Sequence, residues 1–553
     1  MKGTWVPLSL AGMATLATIF GAGCGSTQNS GSVTEGSAAT PAFSLTAGTY
    51  AATQSVTISD ATPGATIYYT TNGTAPTTES TAYSAAISVG STETLNAIAV
   101  AGGYTPSPIA SAAYVITTAA GAGQWTWISG SDTDSVAGVY GTKGVSSAGD
   151  APGAREGNSF WADNQGHLWV FGGQGLDSDG SFSSLNDLWS YSISTGQWTW
   201  VSGSNTADAP AVYGTQGVAA STNVPGARNH AASWVDANGD FWVFGGQVDG
   251  FTGALGDLWM FNPSTLMWTW EGGQDSMNPV GVYGTIGAPS TNNRPGGRAQ
   301  EVTWTDSAGN FWLFGGDGID VNGKLDLLND LWKFDPATKE WTWVSGSDLV
   351  DGIGVYGSQG VASSTNVPGA RFDGVGWSDS QGNFWIFGGG SSDGIFQVLN
   401  DLWMFNPNTG QWTWVSGSSN INDLGTYGMV GVPAPGNVPG ARQDVTGWAD
   451  ANSNLYLIGG SVYGVGNTDA DPLNDLWVFD ATTKMWTWIG GSDVPGVPGI
   501  YGVEGVSSPG NDPGSVASSS ACVDKSGNFW LFGGYTQTAT SSAIANDLWR
   551  YVP

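Results

Sequence analysis

Residues 225–271 read PGARNHAASWVDANGDFWVFGGQVDGFTGALGDLWMFNPSTLMWTWE. Four short apolar or alternating runs lie in this stretch, residues 228–236, 241–246, 257–262 and 268–271, separated by Asn-Gly, Gly-Gly and Asn-Pro turn signals. That is the pattern of four strands in meander order. The stretch is one copy of six, because Trp-Thr-Trp begins at Trp125, Trp198, Trp268, Trp341, Trp412 and Trp486, at spacings of 73, 70, 73, 71 and 74 residues. After each comes a long loop with a Tyr-Gly pair, a turn resembling Pro-Gly-Ala-Arg, a strand usually ending Trp-x-Asp, a strand ending Gly-Gly, and Asp-Leu-Trp. All but one of the 29 tryptophans belong to this pattern. Repeated four-stranded units are the blades of a β-propeller.

The count closes on itself. The first element, residues 124–128, is an outer strand and the last, residues 546–552, is a third strand, so pairing the two ends completes six blades and removes open sheet edges. The Gly-Gly strand, the aromatic after Asp-Leu-Trp and the outer-strand Trp resemble kelch repeats, the type that includes the central domain of galactose oxidase. The resemblance runs through all six units and implies an all-β, six-bladed kelch-type propeller over residues 124–553.

Composition agrees. The 553 residues include 86 Gly and 25 Pro and only 11% charged residues, against roughly 25% in ordinary globular proteins, which argues against helices. With 14 Lys+Arg against 45 Asp+Glu the net charge is −31, which repels nucleic acid and anionic membrane surfaces.

Upstream, residues 1–24 have Lys2, an apolar stretch and a Gly-Ala-Gly-Cys ending. This reads as an export signal, and the ending resembles the lipobox of bacterial lipoproteins, with Gly21 departing from the usual Leu. The resemblance implies lipidation at Cys24, and Gly25 fits outer-membrane sorting. Residues 25–40 form a Ser/Gly/Thr-rich tether. Residues 41–117 show short alternating runs and an Asn72-Gly73 hairpin signal, the pattern of a small Ig-like β-sandwich. The phrases TPGATIYYTTNGTAPT and LNAIAVAGGYTPSPIASAAY resemble the chitobiase/β-hexosaminidase C-terminal type of module, which implies a non-catalytic accessory unit, here read as a spacer. Residues 118–123 are a linker.

In a meander, the long loops entering each blade share one face with the loops after Gly-Gly, and the expected binding surface is there. Features common to all or nearly all blades are expected to be scaffold: the arginines Arg155, Arg228, Arg298, Arg371 and Arg442, with Val516 in their place in unit six, the Asp-Leu-Trp aspartates, and the loop tyrosines. Function is expected where the copies differ. Two residues after the arginine position stand Gly157, His230, Gln300, Asp373, Asp444 and Ser518, with Glu156 and Glu301 adjoining. At the start of the innermost strands, Glu156, His230, Gln300, Glu301, Asp373 and Asp444 are a candidate site for a polar ligand or cation.

A copper-radical oxidase needs two histidine ligands and a tyrosine–cysteine pair. The only histidines, His167 and His230, fall at opposite faces, and Cys522 takes the position of Trp161, Trp234, Trp304, Trp377 and Trp448, so it is expected to be a buried core residue. Zinc sites lack ligands for the same reason, and no cofactor is expected. Asp317, Asp320, Asn322 and Asp326 are weak calcium candidates, as is the turn with Asp177 and Asp179, against the alternative of ordinary Asp-Gly turns. The expectation is an exported, lipid-anchored binding or scaffold protein of the cell envelope, recognising a glycan or protein. The alternatives are a carbohydrate-active enzyme using the channel-mouth carboxylates, and a structural envelope component.

Overall fold

The computed structural model describes residues 36–50, 54–89, 93–116, 123–248, 253–391, 397–463, 470–537 and 542–553. The expected signal, Cys24 and most of the tether lie outside the described residues. Every regular element among the described residues is a β-strand. The chain divides into two compact units, Met1–Thr118 and Ala119–Pro553.

In the first unit a five-stranded sheet has the order Gly48–Tyr50, Ala110–Ile116, Glu93–Val100, Thr66–Thr70, Thr81–Ala82, with the first pair parallel. Two short pairs, Ala42–Phe43 with Ile58–Ser59 and Gln54–Val56 with Ile87–Val89, complete it. Val56, Val89, Leu95, Ala97 and Tyr114 form its core. The Asn72-Gly73 signal does not close a tight hairpin. Asn72 Oδ1 instead accepts from Thr74 N, an Asx turn, and the return strand begins only at Thr81, opposite Tyr69.

The second unit is the six-bladed propeller. In blade two, Ala232–Val235, Phe241–Phe244, Gly256–Asn262 and Met267–Gln274 pair antiparallel in chain order. The ring closes as the repeat count requires: Gln124–Ser129 pairs with Ser542–Val552, placing Trp125 opposite Tyr551 and Trp127 opposite Trp549. The innermost strands, Ser159–Ala162, Ala232–Val235, Val302–Thr305, Val375–Ser378, Thr446–Ala449 and Ser520–Val523, neighbour one another around the axis, the last against the first.

Six aromatic clusters fill the wedges between blades. An innermost-strand Trp faces the next blade: Trp161 stacks on Phe241, Trp234 on Phe311, Trp304 on Phe384 and Trp448 on Phe529. Each buried Trp removes about 150–250 Å² from water, an upper estimate of roughly 5 kcal/mol of transfer free energy. The approach is close: a Cβ on Gly376 would lie 2.9 Å from the Trp304 indole nitrogen, and one on Gly447 2.7 Å from that of Trp377. Ser233, Thr303 and Ala521 hold the corresponding position in other blades. At the sixth wedge the sizes are exchanged, with Cys522 in the Trp position and Phe160 in the small-residue position of blade one. Cys522 is half-buried rather than fully buried, because a thiol is too small to fill the site of an indole.

The long entry loops do not crown the channel. Each folds back along the exposed edge of the outer strand of its own blade. Ser147, Ala220, Ser290, Ser363 and Ala434 bridge Trp198, Trp268, Trp341, Trp412 and Trp486, and Asn223 Nδ2 donates to the Trp268 carbonyl at 3.1 Å. Part of their length thus covers sheet edges.

Candidate functional site

The channel mouth is positioned by the repeat itself. Arg228 Nε donates to the Gly226 carbonyl and Nη1 to the Gly245 carbonyl, while Nη1 and Nη2 grip the Asp257 carboxylate at 2.8 and 2.9 Å. Tyr213 Oη and Trp259 Nε1 donate to the same carboxylate. Arg155–Asp187, Arg298–Asp330, Arg371–Asp401 and Arg442–Asp475 repeat this arrangement at 2.6–2.7 Å, all buried. The arginines, aspartates and tyrosines are therefore scaffold. The Gly-Gly pair is required beside them: Gly245 and Gly246 have φ of 67° and 99°, and a Cβ on Gly245 would meet the Arg298 carbonyl oxygen at 2.5 Å.

Two residues beyond each arginine position the backbone turns left-handed. Gly157, His230, Gln300, Asp373, Asp444 and Ser518 have φ between 49° and 63°, a conformation that costs roughly 1–2 kcal/mol for a residue with a side chain. A closed ring of backbone hydrogen bonds imposes it. His230 N donates to Gly157 O, Gln300 N to His230 O, Asp373 N to Gln300 O, Asp444 N to Asp373 O, Ser518 N to Asp444 O, and Gly157 N to Ser518 O. Strain held in five of the six copies is an arrangement that presents side chains to the axis.

Those side chains converge. One ligand atom each from His230, Asp373 and Asp444, on blades two, four and five, lie within 4.8 Å of one another. Gln300 Nε2 donates to Asp373 Oδ2 at 2.6 Å, Ser518 Oγ to Asp444 Oδ1 at 2.9 Å, and Gln443 Nε2 to Asp444 Oδ2 at 3.1 Å. The His230 ring lies over Gly157, where an added Cβ would meet its Cε1 at 2.5 Å, so glycine in blade one makes room for histidine in blade two. Asn229 Nδ2 donates to Ser184 Oγ, which turns Asn229 Oδ1 toward His230 Nδ1 at 3.0 Å. The network thus assigns the ring proton to Nδ1. Nε2 is left with its lone pair, buried and without a partner.

The electrostatics follow from burial. Burial, then Asp444 and Glu156, push the Asp373 carboxyl well above its ordinary range. Burial and Asp444 push Glu156 up to about 7, and burial pushes Glu301 to about 7 against the pull of Arg298. Burial holds His230 below its ordinary range, with Asp444 opposing. Both Glu301 carboxylate oxygens are buried without a hydrogen-bond partner. His230, Gln300, Glu301, Asp373, Asp444 and Ser518 line a cavity of about 250 Å³ whose lining includes no Lys or Arg.

Of the residues expected at the mouth, His230, Gln300, Glu301, Asp373 and Asp444 are brought together, and Glu156 adjoins them through its field on Asp373. Ser518, named in the same slot, orients Asp444, and sequence reasoning missed Asn229 and Gln443, which orient the others. Both stand at the Glu156 position of their blades, and that alignment was the available signal. The calcium candidates do not assemble. Asp320 Oδ1 accepts from Asn322 N and Lys324 N, Asp326 pairs with Lys324 at 3.2 Å, and Asp317 approaches Gln247 instead. Asp177 likewise closes its own turn onto Asp179 N and Ser181 N. His167 pairs with Asp163 in the turn between the first and second strands, away from the mouth. Further along the inner strands is a second cavity of about 510 Å³, lined by the five inner-strand tryptophans and Cys522.

Residues 45–111 match the family model described as chitobiase/beta-hexosaminidase C-terminal domain, and residues 215–423 match that described as KLHDC2/KLHL20/DRC7 Kelch-repeats domain. No curated protein matches the chain. Among solved structures it is similar to one titled "Structure of YjhT", at 14% identity over 72% of this chain and 95% of that one, with a TM-score of 0.43.

Proposed function

We propose that this chain, a kelch-type β-propeller behind a chitobiase/β-hexosaminidase C-terminal-type module, is an exported, surface-anchored protein that binds a glycan end at its channel mouth. A binding or scaffolding role is what the kelch architecture suggests in general, and the finer reading rests on the site. The observation that carries it is the surplus of acceptors: His230 Nε2 and both Glu301 oxygens are buried and unpartnered, beside Asp373 and Asp444. Sugar hydroxyls supply the donors such groups lack. A cavity of about 250 Å³ fits the end of a glycan better than a protein surface. The accessory module, of a kind named for glycan-processing enzymes, supports the same class of ligand.

Glycosidic cleavage needs two carboxyl groups flanking the bond about 5 Å or more apart, and one oxygen each of Asp373 and Asp444 lie within 4.8 Å of one another, closer than that spacing. A glycan array probed with the full chain, followed by titration of the best ligand, tests the binding reading. Asp444→Asn is expected to weaken binding about tenfold or more, and unchanged affinity would sink it. Anchoring at Cys24 is checked separately by membrane fractionation, where Cys24→Ser is expected to move the protein to the soluble fraction.

A further inference from the structure

We propose that His230 Nε2, Asp373 and Asp444 together hold a divalent transition-metal ion at the channel mouth. The inference rests on the reading of the mouth as the binding site and adds what would organise it.

Three observations converge. The donor atoms come from three blades to within 4.8 Å of one another. Donors around a first-row ion at about 2.0–2.2 Å sit roughly 3–4 Å apart, so an inward shift of some tenths of an ångström completes the set. The imidazole is prepared for a Lewis acid: Asn229 Oδ1, held by the Asn229 Nδ2 bond to Ser184, accepts from Nδ1, and Nε2 is buried without a hydrogen-bond partner. Metal-binding histidines are fixed by this kind of outer contact. Gln300, Ser518 and Gln443 hold the carboxylates in the same way.

Charge agrees with the geometry. Two carboxylates and a neutral imidazole balance one divalent ion, and no Lys or Arg lines the cavity to do so instead. One imidazole with two carboxylates favours Mn²⁺ or Zn²⁺ over Ca²⁺. Three protein ligands leave coordination positions open, where hydroxyls of a bound glycan would sit. A second histidine is not needed, because the ring brings carboxylates from non-adjacent blades to the first.

The test is an electron paramagnetic resonance titration of the metal-stripped full chain with Mn²⁺. The expected result is one saturable site, displaced by Zn²⁺ far more readily than by Ca²⁺, with nitrogen-14 coupling from the bound imidazole. His230→Ala and Asp444→Asn should each weaken Mn²⁺ binding, and Asn229→Ala should do so by about 10–100-fold, with the near-ultraviolet tryptophan spectrum unchanged. Non-saturating uptake, absence of nitrogen coupling, or equal displacement by Ca²⁺ would overturn the proposal. The nitrogen signal is read on the unmutated chain, so a variant that fails to fold leaves the test intact. Glycan binding that survives chelation without bound Mn²⁺ would remove the metal and leave the binding reading standing. Site-specific Mn²⁺ binding with no glycan ligand would do the reverse.

Discussion

Blade six keeps Asp547, Tyr501 and Trp549 in the places their counterparts hold in the other five blades, but Val516 stands where those blades have arginine. In blade two, burial would raise Asp257, yet the Arg228 guanidinium outweighs it and holds the carboxyl below the usual range. The same is true of Asp401 beside Arg371. In blade six burial goes unopposed by any arginine, and Asp547 is pushed up to about 6. The same fold position thus exists in two electrostatic states within one molecule. The arginine is not what makes a blade, since blade six forms without one. In blades two and four it helps hold the buried aspartate below its usual range while that carboxylate orients a tyrosine and a tryptophan.

The sharpest way to break the comparison is to make another blade resemble blade six. Arg298→Met leaves Asp330 buried beside Tyr283 and Trp332 with no counter-charge, and is expected to cost about 3–5 kcal/mol in urea-induced unfolding near neutral pH. A loss under about 1 kcal/mol would mean that the ion pairs add little beyond what blade six already has.

A smaller effect is read through pH. The folded-state pKa of Asp547 lies above its unfolded value near 4, so the folded state binds this proton more tightly. Its contribution is present in full below about pH 4 and is lost as pH rises through about 6, a change of roughly 2–3 kcal/mol for a shift of about two units. Asp257 and Asp401 act in the opposite sense: their contribution is present above about pH 4 and is lost as pH falls below it. Unfolding free energies of the chain and of Asp547→Asn, compared from pH 4 to 7, should diverge, with the unmutated chain losing ground to the variant as pH rises. Divergence of the opposite sign would show that Asp547 is charged and compensated.

The propeller, its blade count and its closure are legible in the sequence because they rest on repetition, and repetition survives without coordinates. The slot holding His230, Asp373 and Asp444 is legible as the place where copies differ. Its geometry is not, because a left-handed backbone at a non-glycine residue leaves only one trace, the glycine at position 157. Convergence of blades two, four and five depends on the diameter of the ring, which no spacing encodes. Loop length alone does not separate a binding surface from edge cover, for a physical reason. An outer strand needs its edge covered, and in this chain the long loops do that, as the bridges from Ala220 to Trp268 and from Ser290 to Trp341 show.

Blade six differs from the rest at its interior too, and there the difference is complementary rather than electrostatic. Where Trp304 packs on Gly376 and Trp377 on Gly447, the closing wedge sets Cys522 against Phe160, in the same cluster as Phe532 and Leu168. If the two positions share one volume, Cys522→Trp alone overfills the wedge and Phe160→Gly alone empties it, and each destabilises. Together they rebuild the pairing of the other blades. A double-mutant cycle in urea is therefore expected to give a favourable coupling of about 1–3 kcal/mol between the substitutions. Additive losses would mean that the seam is a packing arrangement of its own, held by Phe160 against Phe532, and not an exchanged copy of its neighbours.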